Sequence, residues 1–283
     1  MRTLPLLALL TLAACATTRQ APLFGGIDYQ RRDIAGEIPA HVHVVRISLT
    51  RPGLRFAVTP AETGKGMEHV AHLTSAYMAA RHAQLAINAS YFLPFEGGSR
   101  GGEDYYPHEG DPVNVSGAAI ADGRTVSPIE TGLDERVDAM LCFAGARATI
   151  VDGQACPAGY TDGVAAGPRL LANGRAIPST QDYSIKPHPR TAFGLSKDRR
   201  TAWIVTVDGR QPDSLGMTLP RLTALFRQLG ASDAINLDGG GSSTLAVEGP
   251  DRKPKLLNRT IHTGVVGRER PVANHILLFA GER

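Results

Sequence analysis

The chain is poor in cysteine, in tryptophan and in excess charge of either sign. It has 3 cysteines, 1 tryptophan and a net charge of +3 in 283 residues. So few cysteines rule out a disulfide-stapled scaffold or a cysteine-rich zinc module. Basic residues are scattered, apart from pairs such as Arg31-Arg32 and Arg199-Arg200, so the electrostatic footprint of a nucleic-acid binder is missing. No repeat or low-complexity block is present. The only sustained apolar run, Leu4 to Ala14, is too short to cross a bilayer as a mature helix. The triple glycine at 239–241 lacks the Lys-Ser/Thr of a Walker loop, Ser242 and Ser243 do not sit in a G-x-S-x-G elbow, and HExxH is absent.

What is present begins with an export signal. Arg2 precedes the apolar run, and Leu12-Ala13-Ala14-Cys15 resembles a bacterial lipobox. This predicts a signal peptide over 1–14, lipidation at Cys15 and a tether over 15–24, with one domain over 25–283. Ala16 in place of Asp points, by analogy with Gram-negative sorting, to an outer-membrane anchor facing the periplasm. Ordinary secretory cleavage nearby is the alternative. In an exported protein Cys142 and Cys156 are candidates for one disulfide, worth about 3 kcal/mol in the chain-entropy picture; two buried free thiols are the other reading.

Abundant glycine and proline, 31 and 19, suggest many turns. His41 to Leu49 alternates as a strand, with Leu54 to Val58 as its hairpin partner across Arg51-Pro52-Gly53. Glu68 to His82 has helical spacing through Val70, Leu73, Tyr77 and Met78. Residues 93–116 read as a long irregular loop, either a lid or specificity segment over a site or a floppy excursion. Thr201 to Val207 is a buried strand. Thr218 to Leu229 is a helix capped by Thr218, with Pro220 in its first turn and Gly230 after its end. Another strand follows around Ala234-Ile235. The fold class expected is α+β, a mixed β-sheet with packed helices, containing a strand–helix–strand unit around residues 201–237.

The most informative segment is Asn236-Leu237-Asp238-Gly239-Gly240-Gly241-Ser242-Ser243-Thr244. If the two strands of the unit are parallel, Asp208 and Asp238 both emerge at the carboxyl edge of the sheet, where open α/β sheets place ligands. Asn88, after the Leu85-Ala86-Ile87 strand, is expected on the same edge. Two carboxylates can serve as acid and base or nucleophile, or can hold a divalent cation. Arg190 and Arg210 suit phosphate, and the glycine loop offers backbone N–H groups as an anion nest. His41 with His43, and His69 with His72, lack the further ligands of a zinc site and read as satisfied structural histidines.

Taken in order, these segments resemble the phosphodiester glycosidase family over residues 80 to 280. The blocks are Ile87–Phe92, Ala166–Leu171, Arg190–Gly194, Val207–Arg210, Ser214–Leu219, Asn236–Thr244, Asn258-Arg259 and Glu269–Asn274. Ala89-Ser90 stand where the family usually has two glycines. The resemblance implies hydrolysis of the glycosidic C–O bond in a sugar-1-phosphate diester, GlcNAc-1-phosphodiester-like, to free sugar and phosphomonoester, with no cofactor required. Asp238 would be a catalytic carboxylate and Asp208 its partner. Arg190 and Arg210 would bind phosphate, Gly239, Gly240 and Gly241 would shape its cradle, and Asn88 and Asn236 would orient sugar or phosphate. Ser242, Ser243 and Arg270 complete the implied substrate-binding set. Two alternatives remain at this point: a metal-dependent phosphodiesterase using both aspartates as ligands, and a non-catalytic envelope glycan-binding lipoprotein.

Overall fold

The structure, a computed structural model, describes residues 16–62 and 66–281. Cys15 and the signal segment lie outside the described residues. The expected α+β class is not what forms. The chain is predominantly β, with several sheets and only two α-helices among the described residues: α1, Thr74–Ala80, and α2, Leu219–Leu229. The helical spacing seen across Glu68 to His82 is realised only in its second half. His69–Val70 is a short strand paired with Pro112–Val115, and His72 bridges to Val272. Backbone pairing of this segment outcompetes a longer helix, so His69 and His72 do not share a helical face.

The largest sheet has eight strands, in the order Ala16–Phe24, Ile27–Ile34, Ala40–Ser48, Thr201–Val207, Arg190–Ser196, Ala231–Asn236, Arg169–Ala172 and Arg175–Ala176. The segment expected as a tether is therefore the outermost strand, paired along its length with Ile27–Ile34. Arg55–Val58 is not the hairpin partner of Ala40–Ser48. It pairs with His275–Phe279 in a five-stranded sheet that also contains Leu85–Asn88, Leu245–Glu248 and Pro254–Leu256. A second five-stranded sheet joins Arg124–Ser127, Ala119–Ala121, Asp162–Ala166, Ala139–Ala144 and Arg147–Asp152.

The strand–helix–strand unit forms, with one strand intervening. Arg190–Ser196 lies between Thr201–Val207 and Ala231–Asn236 and is antiparallel to both, so the outer two run parallel. Thr218 Oγ1 accepts from Arg221 N, and Gly230 closes α2 in the left-handed region at φ 91°. Leu222, Leu225 and Phe226 of α2 pack with Val42, Val44 and Val205 on one face of the large sheet. The opposite face carries Val45, Ile47, Ile204 and Ile235 into a core shared with both smaller sheets. Each sheet sends one phenylalanine to the centre. Phe56 stacks on Phe143 at 4.6 Å, and Phe193 meets both rings edge-on at 5.9 and 5.6 Å. Such pairs add about 0.5–1.5 kcal/mol beyond area burial. Cys142 and Cys156 are joined by a disulfide between the Ala139–Ala144 strand and the loop after Asp152.

Phe143 is fully buried at this three-sheet junction. Phe143→Ala is expected to lower unfolding free energy by about 3–5 kcal/mol, measured by urea denaturation; a loss below about 1.5 kcal/mol would remove the junction from its central place.

Candidate active site

Asp238 follows the Ala231–Asn236 strand, two residues after it ends, and enters a tight loop. The loop is fixed from an unexpected side. Asn88, fully buried, donates from Nδ2 to Asp238 O at 2.7 Å. Its Oδ1 accepts from Thr191 Oγ1 at 2.8 Å and from Thr244 N at 3.1 Å. Asn88 thus belongs to a different sheet from Asp238 and clamps both ends of the glycine loop, instead of presenting its amide to a ligand. Asn236 is likewise buried, donating to Tyr91 Oη, Gly167 O and Leu237 O. The two asparagines expected to orient substrate are structural supports of the site.

The loop N–H groups are mostly spent internally. Gly240 N donates to Pro189 O, Ser242 N to Gly239 O, and Ser243 N to Gly240 O. The expected backbone nest is replaced by arginine. A Cβ at Gly240 would lie 2.9 Å from Arg210 Nη2, and one at Gly241 would lie 2.4 Å from Arg270 Nη2. A Cβ at Gly239 would meet Pro189 O at 2.8 Å. The glycines are needed so that two guanidinium groups and a neighbouring strand can lie against this backbone.

The resulting cleft has two lobes that share Tyr91, Phe95, Arg136, Asp238 and Arg270. The larger, about 520 Å³, adds Arg190, Arg210, His188, Gly239 and Gly240. The smaller, about 280 Å³, adds Phe92, Leu93, Leu133, Asp134 and Ser116. Asp238 stands where the arginine-rich lobe meets the more apolar one. Its side chain is 9% exposed, and burial pushes its pKa up to about 6 despite the Ser242 hydroxyl, Arg270 and Arg210, which pull it down.

The arginines differ in their partners. Arg136 is held by Asp134 at 2.8 and 3.0 Å. Arg190 donates only to carbonyls: from Nε to Met217 O, and from Nη2 to Tyr183 O and Lys186 O. Arg270 donates from Nε to His262 Nδ1 and from Nη1 to Ser242 Oγ, and Phe95 covers its face at 4.1 Å. Arg210, at φ 59°, has no side-chain hydrogen bond or ion pair among the described residues. Burial brings Arg190 and Arg270 down to about 10, which leaves both cationic at neutrality. His188 and His262 are lowered to about 4, by burial first and by neighbouring arginines second, and are neutral there.

Asp208 does not join Asp238 in the cleft lining. It is buried, with Oδ1 accepting from Arg259 N at 2.9 Å and Oδ2 3.2 Å from His43 Nε2. His43 Nδ1 meets Tyr29 Oη at 2.7 Å while its Nε2 makes no hydrogen bond among the described residues, so the expectation of a satisfied ring holds for only one of its nitrogens; His41 meets Asp33. Ser243 is buried, and neither it nor Ser242 lines the cleft; Ser242 acts through Asp238 and Arg270. The segment 93–116 is more ordered than its composition suggests. Phe92–Leu93 pairs with Pro112–Val115 at its base, Glu96 bridges to Tyr106, and Leu93, Phe95 and Gly97 reach the cleft. Tyr91 lies inside the Ile87–Phe92 block but was not marked as a site residue; Arg136, His188 and His262 come from three separate segments in which nothing local marks them.

Residues 81–279 match the phosphodiester glycosidase family. The chain belongs to this family of hydrolases. The catalytic domain of zebrafish N-acetylglucosamine-1-phosphodiester alpha-N-acetylglucosaminidase, auto-inhibited by its pro-peptide, shares the fold at TM-score 0.65 and 18% identity, over 95% of this chain and 88% of that one. A hypothetical protein from Synechocystis aligns at TM-score 0.60 and 17% identity, over 93% of this chain and 64% of its own. A SPbeta prophage-derived protein of Bacillus subtilis is 48% identical over 68 residues, 24% of this chain and 10% of the relative's length.

The packing of Arg270 on Gly241 generates a specific expectation. Gly241→Ala presses on the Arg270 guanidinium, which has to leave its contacts with His262, Ser242 and Phe95, so inorganic phosphate binding, read by calorimetry, should weaken several-fold while the melting temperature falls by only a few degrees. Unchanged phosphate affinity would show that Arg270 does not need this seat.

Proposed function

We propose that this phosphodiester glycosidase hydrolyses the bond between the anomeric carbon and oxygen of a sugar-1-phosphate diester, GlcNAc-1-phosphodiester-like, releasing free sugar and a phosphomonoester. The observation that carries this reading is the charge pattern around Asp238. The Arg136–Asp134 pair is self-neutralised, leaving Arg190, Arg210 and Arg270 against one carboxylate. A diester brings a single negative charge, whereas the departing monoester carries two. The cluster therefore matches the charge that develops as the bond breaks better than it matches the ground state.

In this mechanism the phosphate sits in the arginine lobe and the sugar in the lobe with Phe92, Leu93 and Leu133. Phosphate is a good leaving group, so a strong general acid is not needed. Asp238, ionised above about pH 6, acts at the anomeric carbon, as nucleophile or as base toward water. Water supplies the hydroxyl of the free sugar, and the phosphate leaves with the bonding pair. The metal-dependent alternative needs Asp208 and Asp238 to share a cation; engagement of the Asp208 carboxylate by His43 and Arg259 favours the glycosidase reading. The lipobox-like Leu12–Cys15 segment supports an exported, Cys15-anchored lipoprotein acting on envelope glycans, a placement tested by whether labelled palmitate is incorporated and then lost in Cys15→Ser.

The deciding experiment hydrolyses an α-N-acetylglucosaminyl phosphodiester in ¹⁸O-labelled water. Label is expected on the sugar; label on phosphate would establish P–O cleavage and overturn the proposal. Asp238→Asn should reduce turnover by about 10³-fold or more. For the wild type, kcat/KM should rise with pH through about 6 and then level. Stability runs the other way. Because the folded pKa is raised, this carboxyl's contribution is fully present below about pH 4 and is lost as pH rises through 6. Asp238→Asn should therefore be at least as stable as the wild type at pH 7, and a marked drop in its melting temperature would make Asp238 a structural residue.

A further inference from the structure

Arg270 is a cleft arginine whose guanidinium donates to a histidine ring. Its Nε donates to His262 Nδ1 at 3.2 Å, and His262 is only 1% exposed. Accepting at Nδ1 requires that nitrogen to be unprotonated, so the neutral ring carries its proton on Nε2. His262 Nε2 is buried without a hydrogen-bond partner among the described residues. With Nε2 left unsatisfied, at a cost of about 1–3 kcal/mol, the contact from Nδ1 to Arg270 is the hydrogen bond that the ring makes among the described residues.

The surroundings favour this neutral state, through burial first and then through the nearby Arg270 and Arg268 guanidinium groups and the His108 imidazole. Tyr105 covers His262 edge-on at 4.3 Å. Tyr105 belongs to the excursion that also supplies Phe95 over Arg270. That excursion is docked by Gly101 N to Thr263 O at 2.6 Å and by Arg268 Nη1 to Gly102 O at 2.8 Å, with Glu103 pairing to Arg268. One guanidinium is fixed on three sides: His262 at Nε, Ser242 at Nη1 and Phe95 on its face.

We infer that His262 is a positioning residue for phosphodiester cleavage: its Nδ1 aims the Arg270 guanidinium at the departing phosphate, and the segment bearing Phe95 and Tyr105 holds the pair in place. This rests on the proposed function. His262 does not line the cleft and touches no reacting atom. Its effect is carried by the direction of Arg270, whose Nη2 donors would point elsewhere without it. Orientation of a charge-stabilising donor matters most as charge develops on the leaving group, so the effect belongs to kcat more than to KM.

Three substitutions test this. His262→Asn keeps an acceptor near the Nδ1 position, His262→Gln moves it outward, and His262→Leu removes it. In full-length protein, His262→Leu should lower kcat on the GlcNAc phosphodiester about 10-fold or more, less than the roughly 10²–10³-fold of losing a donor outright, with KM changed by less than about 3-fold. It should also weaken inhibition by inorganic phosphate. His262→Asn should restore most of both, and His262→Gln should not. Leu at wild-type kcat and phosphate affinity, or Asn as impaired as Leu at equal melting temperature, would overturn the inference. If the Leu variant does not fold, the Asn and Gln pair decides by the same two readouts. Wild-type protein that binds no phosphate would instead bring down the reading of the arginine cluster itself.

Discussion

The site depends on one fully buried amide. Asn88 joins Asp238 O, Thr191 Oγ1 and Thr244 N, and so ties the strand it ends to the neighbouring sheet and to both ends of the glycine loop. Asparagine suits this place because it offers a donor and an acceptor without a charge to desolvate. The same solution recurs nearby. Asn258 accepts from Leu245 N and donates to Ser243 O, and Asn274 accepts from Ser90 N and donates to Ser90 Oγ. With Asn236, four buried amides hold irregular backbone in the form that regular sheet pairing cannot supply. Remove that frame and the arginines lose the loop they rest on.

The frame also explains why the cleft can be so cationic. Arg190 is satisfied by three carbonyls, which orient it without neutralising it. Arg270 leans on a neutral imidazole and a hydroxyl. Had these partners been carboxylates, the site would have held its arginines more easily and stabilised an incoming anion less. The folding cost of three closely set cations is met elsewhere, in the core where Phe56, Phe143 and Phe193 meet.

How much of this was legible in the sequence varied by element. The helix Leu219–Leu229 was readable because its apolar spacing and both caps lie within one short window. The parallel relation of the strands flanking it was readable too, but the strand between them, Arg190–Ser196, comes from earlier in the chain and leaves no local mark. The pairing of Arg55–Val58 with His275–Phe279 spans almost the whole domain, whereas the hairpin expected in its place needed only a turn signal. The α+β expectation failed because many of the strands are very short, some of only two to four residues, and below the length at which alternation can be counted. At the site, Asp238, Arg190, Arg210 and Arg270 were marked by their motifs. Asn88 and Asn236 were marked as well, but sequence could not say that their amides point into protein. Asp208 emerged at the anticipated sheet edge and was then claimed by His43 and Arg259, contacts set by segments far from it along the chain, the Arg259 one 51 residues away. Arg136 and His262 carried no signal at all.

Arg190, Arg210 and Arg270 make no ion pair among the described residues, and they stand in a walled cleft. Their field extends beyond the contacts they will make. Anions diffusing past are drawn toward the mouth, and encounter becomes faster than the chance collision of two neutral surfaces. The pull reaches about one Debye length, roughly 8 Å at physiological ionic strength, and contracts as salt rises. The rate at which this cleft gathers anions is thus tied to the ionic strength of its surroundings.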